Sequence, residues 1–384
     1  MSIEFCASSG PSLGVEVELS LVDRETGALR NCAPDVLATL DARHGADGHP
    51  KAKPELFQSI VEIITGVCAT VDEARRDLSS TLAEVSTAAE GLGAAVISSG
   101  THPFSHWSSL EVTEDDRYQD LVSSLAWPAR RLAICGVHFH VGVRSAEHAV
   151  RVVEALTTQL PLLLALSASS PYWHGMDTGL ASCRTKIFEA LPTAGLPPRL
   201  DDWADFESYL DTLVNAGVIK TVREVWWDIR PHPNFGTVEL RMCDGMPTMR
   251  EIAALAALAQ SLVASISDRL EAGETSPVVR PWVVTENKWL AARHGLDTSF
   301  IVDDRGRRRD ARELVAELTD ELAPVADRLG CAKELGEVTT IAEDGPSYVR
   351  QRAVMADGGT HLDVVESLVR ELAATSNPDS EHES

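Results

Sequence analysis

Two carboxylates that could hold a metal ion lie close together near the start of the chain. They are Glu16 and Glu18, within the stretch GVEVELSL at 14–21. Successive side chains of a β-strand face opposite sides, so both carboxylates share one face and the apolar residues take the other. On a half-buried face, like charges disfavour each other's ionisation, and a divalent cation between them removes that penalty. The alternative, which this stretch alone favours, is the solvated outer face of an edge strand.

Three later stretches repeat this alternation with residue types that bind metals or anions. They lie at 136–143, 225–230 and 236–242. The residues that share a strand face within them are His138 with His140, Asp228 with Arg230, and Glu239 with Arg241. Carboxylates together with imidazole suit Mg²⁺ or Mn²⁺, and guanidinium groups hold phosphate or carboxylate oxygens. The four stretches together predict one polar, concave sheet face that binds a metal ion and an anion.

A second acidic pair, Glu55 and Glu62, is less informative. A spacing of seven residues puts both carboxylates on one face of a helix but on opposite faces of an unbroken strand. The Ile and Val residues around Glu62 favour a strand there, so we expect Glu55 to lie before it on a turn. The spacing alone leaves open whether this pair joins the polar face.

The composition limits the kind of partner. With 34 basic and 58 acidic residues, the 384-residue chain carries a formal charge of -24. That charge disfavours nucleic acid, whose binding depends on neutralised phosphates, but not a nucleotide that brings its own magnesium. The seven cysteines are scattered without a CxxC pair, which favours reduced thiols and a cytoplasmic protein. We find no signal peptide, and the most apolar run, at 160–168, is too short to span a bilayer.

The predicted elements indicate an α+β chain. Strands lie mainly in the first two thirds without regular single helices between them, which favours an antiparallel sheet with helices on one side. An irregular loop or lid is predicted at 171–198, and only helices are predicted from 249 to 372 apart from a loop at 303–309. We predict one domain over 1–375 and a disordered acidic tail over 376–384. Neither a P-loop nor a GxGxxG after a strand occurs.

Taken in order, these stretches and several others resemble a known family. The motifs that carry the resemblance are GVEVE at 14–18, ELFQSIVE at 55–62, GTHPF at 100–104, GVHFHVG at 136–142, ASSPY at 168–172, WDIRP at 227–231, GTVELR at 236–241, ENKW at 286–289 with RHG at 293–295, and ADGG at 356–359. The chain resembles carboxylate–amine ligases of the glutamate–cysteine ligase type 2 group (YbdK-like), within the glutamine synthetase-like ligases. The resemblance covers nearly the whole chain, from Leu13 to about Val369.

The resemblance implies a fold and a reaction. The fold would be a strongly curved antiparallel sheet that forms a funnel, with helices packed behind it, as in the glutamine synthetase-like catalytic fold. ATP would phosphorylate an amino-acid carboxylate, and an amine would then attack the acyl phosphate to give an amide. The cofactors implied are ATP and Mg²⁺, with Mn²⁺ as an alternative ion.

The resemblance also implies roles for individual residues. The implied metal ligands are Glu16, Glu18, Glu55, Glu62, His138 and Glu239. The implied clamps on the transferring phosphoryl group are Arg241 and Arg230. The implied substrate contacts are Arg184, His140 and Thr101.

Three functions are compatible with these residues. The leading one is a ligase that joins glutamate to cysteine as a γ-glutamyl amide. The second is a biosynthetic amide ligase with the same mechanism but a different amino acid or amine. The third is a non-catalytic protein that binds a metal or an amino acid, although the complete set of ligands and arginines argues against it. In each case the expected partners are small molecules, with neither nucleic acid nor a membrane, and a homodimer is compatible with the resemblance.

Overall fold

The computed structural model describes residues 3–45, 48–274 and 279–375. The β-strands within these residues are, in chain order, β1 (Leu13–Asp23), β2 (Ala52–Pro54), β3 (Ile60–Ile64), β4 (Ala94–Ile97), β5 (Gly136–Gly142), β6 (Tyr172–Trp173), β7 (Met176–Asp177), β8 (Ile229–His232), β9 (Thr237–Asp244), β10 (Ser299–Ile301) and β11 (Arg308–Asp310). The predicted tail over 376–384 lies outside the described residues.

The helices lie mainly after the first strands. They are α1 (Ala33–His44), α2 (Val71–Gly91), α3 (Asp116–Leu125), α4 (Trp127–Arg130), α5 (Ala146–Thr157), α6 (Leu160–Ser167), α7 (Cys183–Phe188), α8 (Trp203–Asn215), α9 (Met249–Glu271), α10 (Pro281–His294), α11 (Ala311–Leu329), α12 (Ala332–Asp344), α13 (Ser347–Ala356) and α14 (His361–Thr375).

One seven-stranded antiparallel sheet organises the chain. The order of six of its strands is β2-β3-β1-β5-β9-β8. The seventh, β4, lies on the same edge of β1 as β5: the first half of β1 pairs with β5 and the second half with β4. The long strand β1 therefore has neighbours along both edges, with β3 on the other side. The pairs β6–β7 and β10–β11 form two small separate hairpins.

The alternation of residues in β1 decides which face of the sheet the helices cover. Val15, Val17 and Leu19 are buried in the main apolar cluster, and β1 contacts helices α2 and α9. Glu16 and Glu18 alternate with them and stay partly accessible on the other face. Helices therefore pack behind the apolar face of the sheet and leave the polar face free to form a site.

Two helices begin where side-chain caps predict a start. The hydroxyl oxygen of Thr70 accepts a hydrogen bond from the Glu73 N–H, and the Glu73 carboxylate accepts one from the Ala69 N–H. Likewise Ser145 accepts from the His148 N–H at the start of α5. Such caps satisfy amide groups that have no partner within the helix, so they fix the first turn.

The strand predicted at 225–230 is wrong in its bounds. The structure begins β8 at Ile229 and extends it through Pro231 to His232. Proline has no N–H to donate, so it is excluded from central strands but tolerated on an edge. Because β8 is the last strand of the sheet and pairs only with β9, it accommodates Pro231.

Two further segments differ from the prediction. The chain between 249 and 372 is not purely helical, because β10 pairs with β11, which begins at Arg308 within the predicted loop at 303–309. The predicted irregular loop at 171–198 contains the β6–β7 hairpin and the short helix α7. Short elements of two to six residues carry too little hydrophobic periodicity to be recognised in a sequence.

One helix is long and apolar enough to cross a membrane. It is α9, and 89% of its most apolar window is buried within the described residues. A core helix of a soluble protein has the same length, composition and burial. The pair α5–α6 meets the same criterion only if it is counted as one segment, which is bent by 65°.

The predicted fold class is confirmed. The described residues form an antiparallel sheet, its last strand β9 is followed by six helices, α9 to α14, and the main apolar cluster includes residues from β1 to α14. This is an α+β arrangement in which helices cover one face of the sheet.

Candidate active site

The register of the sheet brings the predicted side chains opposite one another. The facing pairs are Glu18 with Glu62, Glu16 with His138, His140 with Glu239, and Arg230 with Glu239. Residues that face each other across an antiparallel pair point to the same side of the sheet. Strands β3, β1, β5, β9 and β8 therefore direct these polar groups into one space.

A β-bulge lies at the centre of this row. The pairing of β5 with β9 shifts between Val137 and Phe139, so that Arg241 and Met242 of β9 face the single residue His138 of β5. Bulges increase the local twist and change the direction in which side chains point, and they are frequent beside active sites. The bulge brings Arg241 and His138 to the same part of the polar face.

The polar face lines a cavity of about 610 Å³. Ten of the eleven residues predicted as metal ligands, clamps or substrate contacts line it: Glu16, Glu18, Glu55, Glu62, His138, His140, Arg184, Arg230, Glu239 and Arg241. The sequence had left the position of Glu55 and Glu62 open, and the structure brings both carboxylates into the cavity.

The potential ligand atoms fall into three neighbouring groups. In each group the nitrogen or oxygen atoms lie within 4.8 Å of one another. The groups are Glu16, His140 and Glu239; Glu16, Glu62 and His138; and Glu18, Glu55 and Glu62. Because Glu16 and Glu62 each belong to two groups, the ligand atoms form one continuous row across the sheet.

The β9 end of this row is rich in positive charge. Glu239 is buried, and its carboxylate accepts hydrogen bonds from Arg230 Nε at 2.7 Å and from Arg241 Nη1. Burial alone would raise the pKa of Glu239, but the two guanidinium groups outweigh burial and hold the pKa well below its usual value. This carboxylate is therefore ionised at neutral pH.

The β3 end of the row has an excess of negative charge. Burial, with the nearby charge of Glu18, raises the pKa of Glu55 to about 7. Burial and the charge of Glu55 raise the pKa of Glu62 as well. Carboxylates that crowd together without a cation keep protons in this way, and a bound cation replaces those protons.

Imidazole groups hold Glu16 between the two ends. Glu16 Oε2 lies 3.2 Å from His138 Nδ1, and its Oε1 lies 3.3 Å from His140 Nε2. Burial opposes ionisation of Glu16, but hydrogen bonds with the two histidines outweigh it and lower the pKa. The pKa of His138 is lowered by burial, so this ring is neutral at neutral pH and can offer a lone pair to a metal.

Arg184 enters the cavity from helix α7 and is held by backbone groups. Its Nη1 donates to Met242 O and its Nη2 to Arg241 O, both at 3.3 Å. Gly136 leaves room for it, since a Cβ atom there would lie 2.1 Å from Arg184 Nη2. The Arg184 guanidinium therefore has a fixed position beside the row of ligand atoms.

A buried carboxylate that the sequence did not reveal supports this helix. Asp244 accepts hydrogen bonds from the hydroxyl groups of Ser170 at 2.6 Å and Ser182 at 2.8 Å, and from the Ser169 N–H at 3.0 Å. Ser182 caps α7, and Ser170 Oγ accepts from the Arg184 N–H at 3.1 Å. The motif at 168–172 therefore contributes to the site through Asp244 and α7 rather than by lining the cavity.

Two predicted side chains lie outside the cavity. Thr101 is buried, and its hydroxyl donates to Tyr172 O at 2.8 Å, so its donor is used within the protein. Asp228 precedes β8 and accepts from the buried ammonium of Lys288 at 2.5 Å, instead of sharing the face of Arg230. Thr101 was predicted from the resemblance and Asp228 from the alternation at 225–230, and Asp228 leaves the predicted face because β8 begins only at Ile229.

Several cavity residues were not predicted from the sequence. They are Lys53, Tyr118, Arg223, His232 and Phe235, among others. His232 follows Arg230 by two residues on β8, so the alternation would have revealed it if the strand had been extended through Pro231. Tyr118 lies on helix α3, and most of the remaining residues lie on short or irregular segments that have no such periodicity.

Comparison with known sequences gives a consistent family. A family model described as glutamate-cysteine ligase family 2 matches residues 12–371. A relative from Frankia casuarinae is 52% identical over 97% of this chain and 98% of its own length. One from Thermobifida fusca is 50% identical over 97% of this chain and 94% of its own length. Both are named, provisionally, as glutamate–cysteine ligases 2.

Solved structures share the fold at low sequence identity. A glutamate–cysteine ligase from Francisella tularensis in complex with AMP has a TM-score of 0.70 at 12% identity, over 96% of this chain and 90% of that one. A bifunctional glutathione synthetase from Pasteurella multocida has a TM-score of 0.66 at 13% identity, over 95% of this chain and 52% of that one. The glutamine synthetase-like architecture predicted from the motifs is thereby confirmed. The match along nearly its whole length establishes that the chain belongs to glutamate–cysteine ligase family 2, a family of carboxylate–amine ligases.

Proposed function

We propose that the chain is an ATP-dependent carboxylate–amine ligase that joins the γ-carboxylate of glutamate to an amine, with cysteine as the default acceptor. The observation that carries the proposal is the continuous row of carboxylate and imidazole groups, flanked by three arginines, in one cavity. Family membership supports a γ-glutamyl ligase, and the related fold of a ligase whose structure contains AMP supports the use of ATP.

The proposed reaction has two steps. An oxygen of the γ-carboxylate forms a bond to the γ-phosphorus of ATP while the bond to the bridging oxygen breaks, giving γ-glutamyl phosphate and ADP. The amine nitrogen then forms a bond to the acyl carbon and loses a proton, and inorganic phosphate leaves. Phosphoryl transfer needs mainly positioning and neutralisation of charge from a protein, which is what this cavity offers.

The donor set fits Mg²⁺, with Mn²⁺ as an alternative. Glu18, Glu55 and Glu62 crowd together. The pKa values of Glu55 and Glu62 are raised, which indicates a local excess of negative charge. The residues that would hold the ions are Glu16, Glu18, Glu55, Glu62, His138 and Glu239. When bound, Mg²⁺ neutralises phosphate charge and polarises phosphoryl oxygens.

The three arginines of the cavity have different hydrogen-bond partners, and we assign them different roles. Arg241 lines the cavity and donates to Glu239 through Nη1, which leaves the rest of its cavity-facing guanidinium for a phosphoryl oxygen. Arg230 donates a hydrogen bond from Nε to Glu239, and its Nη1 donates to Val222 O and Val225 O. We therefore assign phosphoryl contact mainly to Arg241 and positioning of Glu239 mainly to Arg230, while Arg184 contacts a substrate carboxylate.

One feature favours an acceptor other than cysteine. The wall of the cavity near β3 and α3 is apolar, and it includes Leu56, Ile60, Leu121, Leu132 and Ile134. A thiol as small as that of cysteine would cover little of this surface, whereas a larger apolar amine gains by burying it. We keep a biosynthetic amide ligase that uses such an amine as the second candidate.

The assay that tests the proposal follows ADP release with Mg²⁺ and glutamate, with and without a panel of amines. Turnover with cysteine supports the default reaction, and turnover only with an apolar amine supports the second candidate. No ADP release with any acceptor would leave a non-catalytic binding protein and overturn the proposal. We place this activity in the cytoplasm, in a single domain over 1–375, with small molecules as its only partners apart from a second copy of the chain.

A further inference from the structure

Two aromatic rings at the β8 edge of the cavity have no role in the proposed chemistry. His232 ends β8, and Phe235 lies in the turn that leads to β9. Their ring centroids are 4.2 Å apart and the planes differ by 10°, so the rings are stacked. His232 is only 5% exposed, whereas Phe235 is 57% exposed although it lines the cavity. Phe235 therefore presents an open aromatic face to a cavity whose lining is rich in charged groups.

The stacked rings lie next to the phosphate-binding end of the row. The ring centroid of His140 is 5.5 Å from that of His232 and 5.5 Å from that of Phe235. His140 belongs to the ligand group with Glu16 and Glu239, and its Nδ1 lies 3.0 Å from Thr237 Oγ1. A molecule whose phosphates meet that group can therefore extend its other end towards Phe235.

The surface that the rings offer is flat and uncharged. Burial lowers the pKa of His232 to about 4, so the imidazole is neutral at physiological pH. Its Nδ1 has no hydrogen-bond partner among the described residues. A neutral aromatic face does not attract phosphate or carboxylate, but it stacks well on a planar heteroaromatic ring.

The turn that carries Phe235 is fixed before any ligand binds. Gly236 has φ +64°, and a Cβ atom there would lie 1.7 Å from Cys6 O, so only glycine fits. The Cys6 N–H donates to Pro233 O at 2.9 Å, and the Gly236 N–H to His232 O at 3.0 Å. A ring held on a rigid turn loses little conformational freedom on binding, which favours affinity.

We propose that the open face of Phe235, backed by His232, stacks on the nucleobase of the nucleotide. The inference rests on the proposed function, because it assigns the base of the same ATP whose phosphates meet the metal-binding row. It divides the cavity into a nucleoside end at β8 and an amino-acid end near β3 and α3. Trp226 and Arg223, which also line the cavity, lie on the segment that precedes β8.

The test compares a ligand that has a base with one that does not. Binding of MgADP and of magnesium tripolyphosphate is measured by calorimetry for the wild type and for Phe235→Ala. We expect the substitution to weaken MgADP by about 5- to 150-fold, the range associated with loss of one base–aromatic stack, and to leave tripolyphosphate within about twofold. Phe235→Trp, which keeps an aromatic face, should restore most of the affinity for MgADP.

Trp282→Ala is the matched control, because Trp282 is also 57% exposed but does not line the cavity. It should change neither affinity. Equal loss of both ligands in Phe235→Ala would mean that the ring only supports the turn, and no loss of either would mean that the base binds elsewhere; each result overturns the inference. A wild type that binds neither ligand would instead overturn the proposed function, and this inference with it.

Discussion

Two guanidinium groups neutralise the carboxylate of Glu239 in the cavity. The proposed contact of one of them, Arg241, with the phosphoryl group can be tested by substitution. We expect Arg241→Ala to lower kcat by about 10²- to 10³-fold, the usual effect of removing one preorganised stabiliser of developing charge. The measurement is steady-state ADP release with saturating glutamate and amine. Arg328→Ala is the control, since Arg328 pairs with Asp268 on the surface. Unchanged turnover in Arg241→Ala would rule out its contact with the phosphoryl group.

The raised pKa of Glu55 makes the stability of the metal-free protein decrease as the pH rises. Its pKa is about 7 in the folded protein against an ordinary value of 4.5, so between these pH values the folded state keeps a proton that the unfolded state has lost. Stability without metal should therefore fall as pH rises through this window, by on the order of 3 kcal/mol from this group. Glu239 and Glu16, with lowered pKa values, add no slope there, because they are ionised in both states.

Urea unfolding between pH 5 and 8 measures this effect, with EDTA and with Mg²⁺. A bound cation replaces the proton, so the slope should flatten in Mg²⁺. Glu55→Gln, which cannot ionise, should reduce the slope in EDTA as well, and the part that remains belongs to Glu62, whose pKa is also raised. Equal slopes with and without magnesium would show that the carboxylates near β3 do not bind the ion.

At the scale of elements, the strands that alternate strictly were the predictable ones. Strand β5 has polar and apolar residues in turn, so its polar face is predictable from the amino-acid sequence alone. Strand β8 is not, because Pro231 ordinarily excludes a central strand and the sequence does not say which strand lies at an edge. His232 was missed for that reason, and Phe235 because a turn has no periodicity.

The same scale explains why Thr101 lies outside the cavity although the resemblance implies that it contacts a substrate. Motifs record which residues a family uses, but not whether they line a cavity or support another element. Thr101 bonds to Tyr172, and the neighbouring Gly100 packs against Asp244, where a Cβ atom would lie 2.6 Å from the carboxylate. Only the folded chain brings Asp244 to these residues, which are far apart in sequence.

Asp244 therefore supplies a prediction about helix α7. Asp244→Ala leaves the buried hydroxyl groups of Ser170 and Ser182 and the Ser169 N–H without their acceptor, and we expect unfolding to become easier by about 2–5 kcal/mol. Because α7 carries Arg184, KM for glutamate should also rise. Asp268→Ala, which removes a surface carboxylate, should change stability by less than about 0.5 kcal/mol. A wild-type stability and KM in Asp244→Ala would contradict this role.

At the scale of the whole molecule, the order of the motifs was enough to predict the fold. Two solved structures share that fold at 12% and 13% identity, so neither composition nor overall sequence similarity to those two proteins would have revealed it. The register of the strands then accounts for the site, since facing residues across β3, β1, β5, β9 and β8 supply most of its polar groups. The size and apolar wall of the cavity emerge only when helices α3 and α7 are in position.

The whole molecule should gain stability when the cavity is filled. MgADP at 100 times its Kd should raise the free energy of unfolding by about 2.7 kcal/mol, since a ligand of the folded state stabilises by mass action. A thermal melt with ADP, with Mg²⁺ and with both measures the gain. The two together should exceed the sum of the separate shifts, because each neutralises charge on the other. Simple addition would indicate that nucleotide and metal occupy separate sites.

The double pairing of β1 has a consequence for the lifetime of the site. This strand has β3 along one edge and β5 followed by β4 along the other, so its amide protons are shielded on both sides. Exchange of such protons with solvent requires nearly complete unfolding, whereas termini and loops open locally. We therefore expect the amide protons around Glu16, which pairs with strands on both edges, to be among the slowest to exchange, and the carboxylates of Glu16 and Glu18 to keep their spacing until the whole molecule unfolds.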